Sequence, residues 1–445
     1  LIVITPNNLS YGHHHLRENW RGLEPPRHIH IFNPLSLLSC ATQAGFSSAT
    51  TWSTSAKAES FARGHLAMME NSNRSSGGEL FVMWHQLRSS LATLINKHRG
   101  EECVLQANAN PAETNKLKCL FVIQNFDLPS SRVRVLNLLP ELEKYGIEAY
   151  ATPFPKKLSE QIKVFKHCKK MDVVILQKRL LSHLNISLIS WLSPKFLFDF
   201  DDAIYTKQHQ GKITTSKGRY KKFSRTVRVA DGVIVGNHVL AEMAGDNNNI
   251  SIIPSAVETR NIPLKDYNFQ EATTIIGWVG TPVNLPYLQL LLPQLTRLSE
   301  QYDIEFRVIS SESIDMPGVN MSFIPWSLES QEAEIAQFDI GVMPLPDSEH
   351  AAGKCGYKAL QYMAAAVPAV VSDVGVNHEI VTHNQEGMVC ERISDFYDAL
   401  SYLIEHPEIR QKMGLAARAK VESKYSIEVV GKQLADTLHS LSQQS

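Results

Sequence analysis

From Leu117 to the C-terminus, short apolar runs rich in β-branched residues alternate with helical stretches, the pattern of βα units that feed a parallel sheet. One series of candidate strands falls at Leu120 to Gln124, Val173 to Gln177, Phe196 to Phe200, Gly232 to Val235 and Ile250 to Ile253. A second series follows at Thr274 to Val279, Glu305 to Ile309, Met321 to Ile324, Asp339 to Met343, Ala369 to Ser372 and Gly387 to Val389. Two consecutive Rossmann-like, doubly wound α/β domains account for both. The polar segment Glu258 to Glu271 carries Pro263, which puts the junction between domains 117–262 and 263–425. Val430, Leu434, Leu438 and Leu441 recur at helical spacing, so 426–445 is expected to be a helix that returns to the 117–262 domain.

Upstream the pattern is weaker. Leu1 to Asn8 reads as a buried strand that begins in the middle of a domain, with no targeting segment before it, and Glu101 to Ala107 reads as another strand. Ser53 to Gly78 is rich in Ser, Ala and Asn and reads as a connection. Asn108 to Asn115 has linker composition, giving a region 1–108 and a linker 109–116.

Composition narrows the class. A chain of 445 residues predicts roughly two to four domains. A net charge of −1 with 20% charged residues argues against a nucleic-acid binder, which would carry a strongly basic domain. The six cysteines stand singly without a CxxC pair, so neither a zinc ribbon nor a disulfide framework is indicated, and a reducing, cytoplasmic setting is expected. Apolar runs such as Ala364 to Val371 stop well short of the roughly 20 residues a membrane span needs. The average charge hides one block. Between Lys207 and Arg228 there are many Lys and Arg and no Asp or Glu, which suits an anionic partner, either a bilayer surface at which the chain is peripheral or a diphosphate head group. A solvated loop is the competing reading.

The most informative segment is Gly353-Lys354-Cys355-Gly356-Tyr357-Lys358-Ala359-Leu360-Gln361-Tyr362-Met363-Ala364. Gly353 is expected where the loop after Pro344 turns into a helix, with free N–H groups aimed at the cleft. Lys354 and Lys358, four apart, then share one helical face, and without an acidic partner an anionic ligand explains them better than helix stabilisation does. The alternative is a solvated lysine face. Ser372 to Glu379 forms the loop after the next buried strand, on the side where open α/β sheets bind ligands. Gly277 to Thr281 is a glycine-containing turn without a full GxGxxG. In Asn125 to Arg134, Ser130 or Ser131 is a candidate N-cap that puts Arg132 at the crevice, although surface arginines on a capped helix fit nearly as well. Asp199-Phe200-Asp201-Asp202 ends a strand with carboxylates of the kind that bind Mg or Mn.

Gly353 to Ala364, Pro368 to Asp373 and Glu379 resemble the helix and loop of retaining glycosyltransferases of the GT-B fold, family 4. The Gly277 turn, Asp339 to Pro344, the Gly387 turn and Met413-Gly414 stand in that family's order, so the resemblance spans residues 117 to 445. It implies transfer of a sugar from a nucleotide-diphosphate-sugar donor to a glycan or lipid-linked acceptor, with retention, in surface polysaccharide or glycoconjugate synthesis. It further implies Lys354, Lys358 and Arg132 as catalytic groups, and Gly280, Thr281, Gly353, Gln361, Asp373 and Glu379 as donor contacts. Asp201 and Asp202 are left with a structural role at the strand end or with acceptor contact, and no metal or bound cofactor is expected, because in GT-B enzymes protein charges stabilise the leaving group. The chain departs from the family in one place: of two glutamates eight apart, it has Gly353 and Gln361. The Arg and Lys usual in the first turn are also absent from Thr281 to Tyr287. A sugar-nucleotide-binding module without catalysis, or a nucleotide-sugar epimerase of the same fold, are the alternatives.

Asn19 to Phe32, followed by a helix to Phe46, resembles the carboxyl half of class I S-adenosylmethionine-dependent methyltransferases. The cofactor loop belongs to the other half, so this partial α/β domain is not expected to bind S-adenosylmethionine. His13, His14, His15, His28 and His30 lack carboxylates or cysteines at ligand spacing, which argues against a metal site.

Overall fold

A computed structural model of the chain describes residues 2–16, 32–44, 46, 48–56, 58, 62–63, 78–96, 99, 101–108, 116–209, 212–245, 247, 249–268 and 273–443. The chain divides into two compact units, Leu1–Asn115 and Lys116–Ser445.

In the first unit, β1 (Ile2–Pro6), β2 (Ser48–Thr54) and β3 (Glu102–Asn108) form one antiparallel sheet with β3 in the middle. Gln106 is the shared register point, opposite Ile2 on one side and Thr50 on the other. The helix Pro34–Gln43 starts from Asn33, whose side chain accepts the Ser36 N–H at 2.9 Å, and Pro34 presets the first turn. Its Leu37 and Ala41 pack on Cys103 and Leu105. β2 is absent from the sequence reading because Ser-Ala-Thr-Thr-Trp-Ser-Thr is polar and lacks apolar alternation. Residues 19–31 of the methyltransferase-like motif, most of the 57–77 stretch and residues 109–115 of the linker lie outside the described residues.

The second unit holds two six-stranded sheets. β4 (Leu117–Ile123), β5 (Ile147–Pro153), β6 (Val173–Gln177) and β7 (Lys195–Phe200) belong to the first, followed by a small hairpin of β8 (Thr206–His209) and β9 (Lys212–Thr215). β10 (Gly232–Val235) and β11 (Ile250–Ile252) complete that sheet, in the order β11-β10-β7-β6-β4-β5, all parallel. β12 (Thr274–Val279), β13 (Ile304–Ser310), β14 (Met321–Pro325), β15 (Ile340–Met343), β16 (Ala369–Ser372) and β17 (Gly387–Cys390) form the second, in the order β14-β13-β12-β15-β16-β17, also all parallel. Central strands such as β6 and β12 are buried at every position, because helices cover both faces.

Helices Leu158–Cys168, His183–Leu192, Lys217–Val229 and His238–Ala244 pack Val164, Ile186, Phe223 and Leu240 against Phe196, Phe198 and Phe200 on one face of the first sheet. On the other face lies the last helix, Ile427–Gln443, whose Val430, Leu434, Leu438 and Leu441 meet Phe121, Ile175, Leu142 and Ile234. The strand order reverses beside β4 and beside β12. At both reversals the loops after the carboxyl ends of the strands open a crevice.

Two features of this unit differ from the sequence reading. β5 is a half-buried edge strand ending in Pro153, with a polar residue in every second or third place. The β8–β9 hairpin lies inside the basic block, where four-residue polar strands leave no hydrophobic period.

Candidate functional site

The helix Tyr357–Ala364 begins at Gly356, whose φ of 62° is left-handed. A Cβ at that position would sit 2.2 Å from Ile380 Cδ1, so the turn requires glycine. Gly353 instead closes a separate short helix, Glu349–Ala352, capped by Ser348 through the Ala351 N–H at 3.3 Å. This corrects the expectation that Gly353 opens the lysine helix. Gly353 is buried against Ala203 and Leu240, and its carbonyl accepts from Asn237 Nδ2 at 3.4 Å. Lys354 therefore lies in the connecting turn and not on one helical face with Lys358; the chain can reverse only at Gly356, which starts the helix after Lys354.

The two lysines still converge. Lys354 Nζ stands 5.9 Å from the centre of the Tyr287 ring and Lys358 Nζ 5.5 Å from that of Trp278. Burial pushes the Lys358 ammonium down to about pH 7 as its titration point; Lys354 adds to the effect and Asp202 opposes it. β12 leads into the Gly280-Thr281 turn, and the missing side chain of Gly280 gives Lys358 its path.

The opposing wall comes from the first sheet. Asp199 is buried in a pair with Arg134 at 2.5 Å, and Arg134 also donates to the Ile253 and Pro254 carbonyls at 2.5 and 3.1 Å. This pair ties Arg134, the last residue of the helix Pro129–Arg134, to the strand ends and does not line the cleft. Asp201 and Asp202 do, and both meet Lys178 Nζ, at 3.0 and 3.3 Å. Lys178 follows β6 with φ of 50°, and its N–H donates to the Asp199 carbonyl at 2.7 Å. Burial alone would lower the Lys178 pKa, but Asp201 and Asp202 outweigh it and raise it. Burial pushes Asp202 up, yet Lys178, Lys354 and His350 bring it below the ordinary carboxylate range. An ammonium thus fills the place a cation would take between the two carboxylates. Among the described residues, no group of three or more His, Cys, Asp or Glu is placed to hold a metal ion. His13 lies 2.6 Å from the Asn8 carbonyl, and His28 and His30 fall outside the described residues.

Arg132 sits on the helix Pro129–Arg134, which starts after Leu128 without any side-chain cap. The expected Ser130 or Ser131 cap is therefore corrected: Pro129 presets the first turn, and Ser131 is buried inside the helix. The Arg132 guanidinium is 5.6 Å from the Trp326 ring. Trp326 Nε1 and Gln361 Nε2 both donate to Gln331 Oε1, at 3.0 and 3.4 Å.

These groups line one cleft of 460 Å³ between the two sheets. It brings together Arg132, Asp201, Asp202, Gly280, Thr281, Lys354, Lys358 and Gln361, and leaves out Gly353, Asp373 and Glu379. The Asp373 carboxylate is exposed and faces His378 at 2.9 Å. Glu379 points away to His238, 2.7 Å distant on the opposite domain, because its helix Asn377–Ile380 buries Asn377 and Ile380 instead. Lys178, Trp326 and Gln331 also line the cleft, and the sequence reading missed them. Trp326 follows the carboxyl end of β14, where the rule for open sheets places ligand contacts. Nothing local marks Lys178.

Residues 273–406, less than half of the chain, match the family model described as glycosyl transferases group 1. The human alpha-1,3/1,6-mannosyltransferase ALG2 is 28% identical over 118 residues, 26% of this chain and 27% of that protein. The chain thus aligns with only about a quarter of that relative's length. Among solved structures, a glycosyltransferase from Rickettsia africae ESF-5 superimposes with a TM-score of 0.57 at 12% identity, over 74% of this chain and 100% of that one. Anabaena Alr3699/HepE in complex with UDP and glucose gives 0.56 at 12% identity, over 73% and 100%. The lipopolysaccharide outer core galactosyltransferase WaaB gives 0.54 at 12%, over 73% and 99%. At such identities the likeness is one of fold: two parallel six-stranded sheets arranged as in GT-B glycosyltransferases.

Proposed function

We propose that the 116–445 unit is a GT-B glycosyltransferase that moves a sugar from a nucleotide-diphosphate donor to a glycan or lipid-linked acceptor, with retention at the anomeric carbon. The observation that carries this reading is the meeting of Lys354 and Lys358 beside Gly280 on one wall of the cleft, with Arg132 on the other. A departing diphosphate develops negative charge, and two ammonium groups held in a half-buried cleft stabilise it without reorganising at the moment of bond breaking. Gln361 offers its amide to a ribose hydroxyl, and Gly280 and Thr281 allow close backbone approach to the phosphates. Arg132 clamps the donor from the facing domain. Asp201 and Asp202, each paired with Lys178, face the acceptor side. Closure of the two domains would exclude the water that otherwise hydrolyses the donor. The UDP and glucose in the Anabaena structure support a nucleotide-sugar as donor class.

Replacing Lys358 by Ala tests the reading: donor turnover should fall by two orders of magnitude or more, on the order of 100-fold. Activity within a few-fold of the unaltered chain overturns the assigned role. A second reading, donor binding without transfer, is favoured by Gly353, which offers no carboxylate and stands where a Cβ would come within 3.2 Å of Ala203. Calorimetry that finds donor binding and no transfer to any acceptor would select it. Interconversion of the donor without acceptor would instead identify an epimerase.

For 1–108 we retain the reading of a methyltransferase-like carboxyl half, supported by the neighbouring places of β1 and β3 in one sheet. S-adenosylmethionine should not bind it. The reading also includes a cytoplasmic location, no nucleic-acid partner, and peripheral membrane contact through 207–228. Among the described residues, no helix is long and apolar enough to cross a membrane.

A further inference from the structure

Three helices of the first sheet's outer layer, Leu158–Cys168, His183–Leu192 and Lys217–Val229, lie side by side, with the second in the middle. Their inner faces are accounted for by Val164, Cys168, Ile186, Ile189, Phe223 and Val227 in the core. Their outer faces have an arrangement that neither the fold nor the cleft explains. The middle helix carries no Asp, Glu, Lys or Arg, and along its exposed side stand Leu184 and Trp191, 68% and 80% exposed. They are seven residues apart, so they form one stripe along two turns.

The flanking helices are cationic. Lys163, Lys166, Lys169 and Lys170 are exposed on or just after the first, and Lys217, Arg219, Lys221 and Lys222 on the third. Among the described residues none of these eight has an ion-pair partner within 4.0 Å. From Lys156 to Ala230 the sequence holds seventeen Lys and Arg against five Asp and Glu, in a chain whose total is −1. Three of those five, Asp199, Asp201 and Asp202, are already paired inside the molecule with Arg134 and Lys178. An apolar ridge bordered on both sides by unpaired cations presents charge to an anionic plane and apolar side chains to what lies beneath it. A tryptophan at such a boundary finds an apolar and a wet environment at once.

We propose that this three-helix face docks the protein on an anionic lipid bilayer, with Leu184 and Trp191 entering the headgroup layer and the flanking lysines and arginines neutralising the lipid charge. It extends, and rests on, the peripheral contact put forward above for 207–228. The orientation it implies holds the 116–445 unit against the membrane by the outer helix layer of its first sheet. Lipid binding of this kind combines buried apolar area with attraction that salt screens, so both parts must be measurable.

The test is sedimentation of the full chain with sealed vesicles of phosphatidylcholine, with and without a third of phosphatidylglycerol. No donor sugar is present. Binding to the anionic vesicles only, weakening as salt rises, is the expected result. Trp191→Ser with Leu184→Ser should weaken it several-fold, and Lys163→Glu, Lys166→Glu, Lys221→Glu and Lys222→Glu together by roughly tenfold or more. All six positions are exposed, so the melting temperature should hold in both variants. Equal binding to uncharged vesicles, no binding to anionic ones, binding unaffected by either variant, or retention by RNA with none by vesicles each overturns the proposal. Lys358→Ala separates the two readings: it should leave vesicle binding unchanged even where transfer is lost, whereas the charge-reversed variant should still transfer to a water-soluble acceptor.

Discussion

A Cβ placed on Gly280 would lie 2.7 Å from Lys358 Cε and 2.6 Å from Trp278 Cη2. The position of the lysine in the cleft thus depends on the absence of a side chain on a different strand turn. Gly280→Ala must push Lys358 aside or shift the buried Trp278 ring. Misplacing a charged group by about 1 Å costs on the order of 100-fold in rate, so turnover should fall by about 10-fold to 100-fold. Overpacking against Trp278 should lower stability by about 1–3 kcal/mol. Steady-state kinetics and thermal melts on the same preparation separate the two effects.

Lys358 titrates near 7 in the free protein, chiefly because it is buried and next because Lys354 is close. Its folded-state pKa is below the ordinary lysine value. The cost of burying the charge is therefore full below about pH 7 and disappears as the unfolded chain also deprotonates, near 10.4. Lys358→Met should stabilise the protein by about 2 kcal/mol at pH 6, with the gain fading between 7 and 10.4. A diphosphate works the other way. Where the donor binds the protonated form, affinity should fall by up to about tenfold per unit as pH rises above 7. Calorimetry at pH 8 in buffers of different ionisation enthalpy should then show uptake of close to one proton, and Lys358→Met should abolish it.

Lys178 is the inner counter-ion of Asp201 and Asp202. Asp202 is held below the usual carboxylate range, so its contribution to stability is present above about pH 3.9 and is lost as pH falls through the lower folded value. Lys178→Met removes that contribution and leaves two adjacent carboxylates, which should cost about 2–4 kcal/mol at pH 7 and less at pH 4. Melting temperature measured across that range gives the slope. Since Lys178 already occupies the space between the carboxylates, a chelator should leave donor binding and turnover of the unaltered protein unchanged; a severalfold loss would reopen the metal reading.

The parts legible in the sequence are those whose signal is local. Thr274–Val279 is buried at all six positions and Gly232–Val235 at all four, and such strands in a parallel sheet show up as continuous apolar runs. Gly280, Lys358 and Gln361 could be picked out because each follows a strand or sits on a helix facing the carboxyl edge. Ile147–Pro153 could not, since an edge strand needs only half the apolar content. The start of the lysine helix was misplaced by four residues because Ser348 caps a one-turn helix that has no periodicity of its own. Lys178 was invisible for a different reason. Gln177 is in register with Asp199, so the residue after one strand meets the carboxylates after the next, and that adjacency exists only once β6 and β7 pair.

Arg134, on the helix that follows β4, is buried against Asp199, with side chains 3% and 7% exposed. Burial pushes the Asp199 carboxyl up while Arg134 pulls it down, and the guanidinium also serves the Ile253 and Pro254 carbonyls. Arg134→Met would leave a buried carboxylate and two carbonyls without their donor, which should cost about 3–5 kcal/mol. Removing both charges as Arg134→Met with Asp199→Asn should cost markedly less than the sum of the single changes, because neither partner is then left as an unpaired charge. Urea unfolding of the four variants in a double-mutant cycle measures the coupling. A coupling below about 0.5 kcal/mol would mean that the pair is solvated and that the helix Pro129–Arg134 is anchored to the strand ends by its apolar contacts alone.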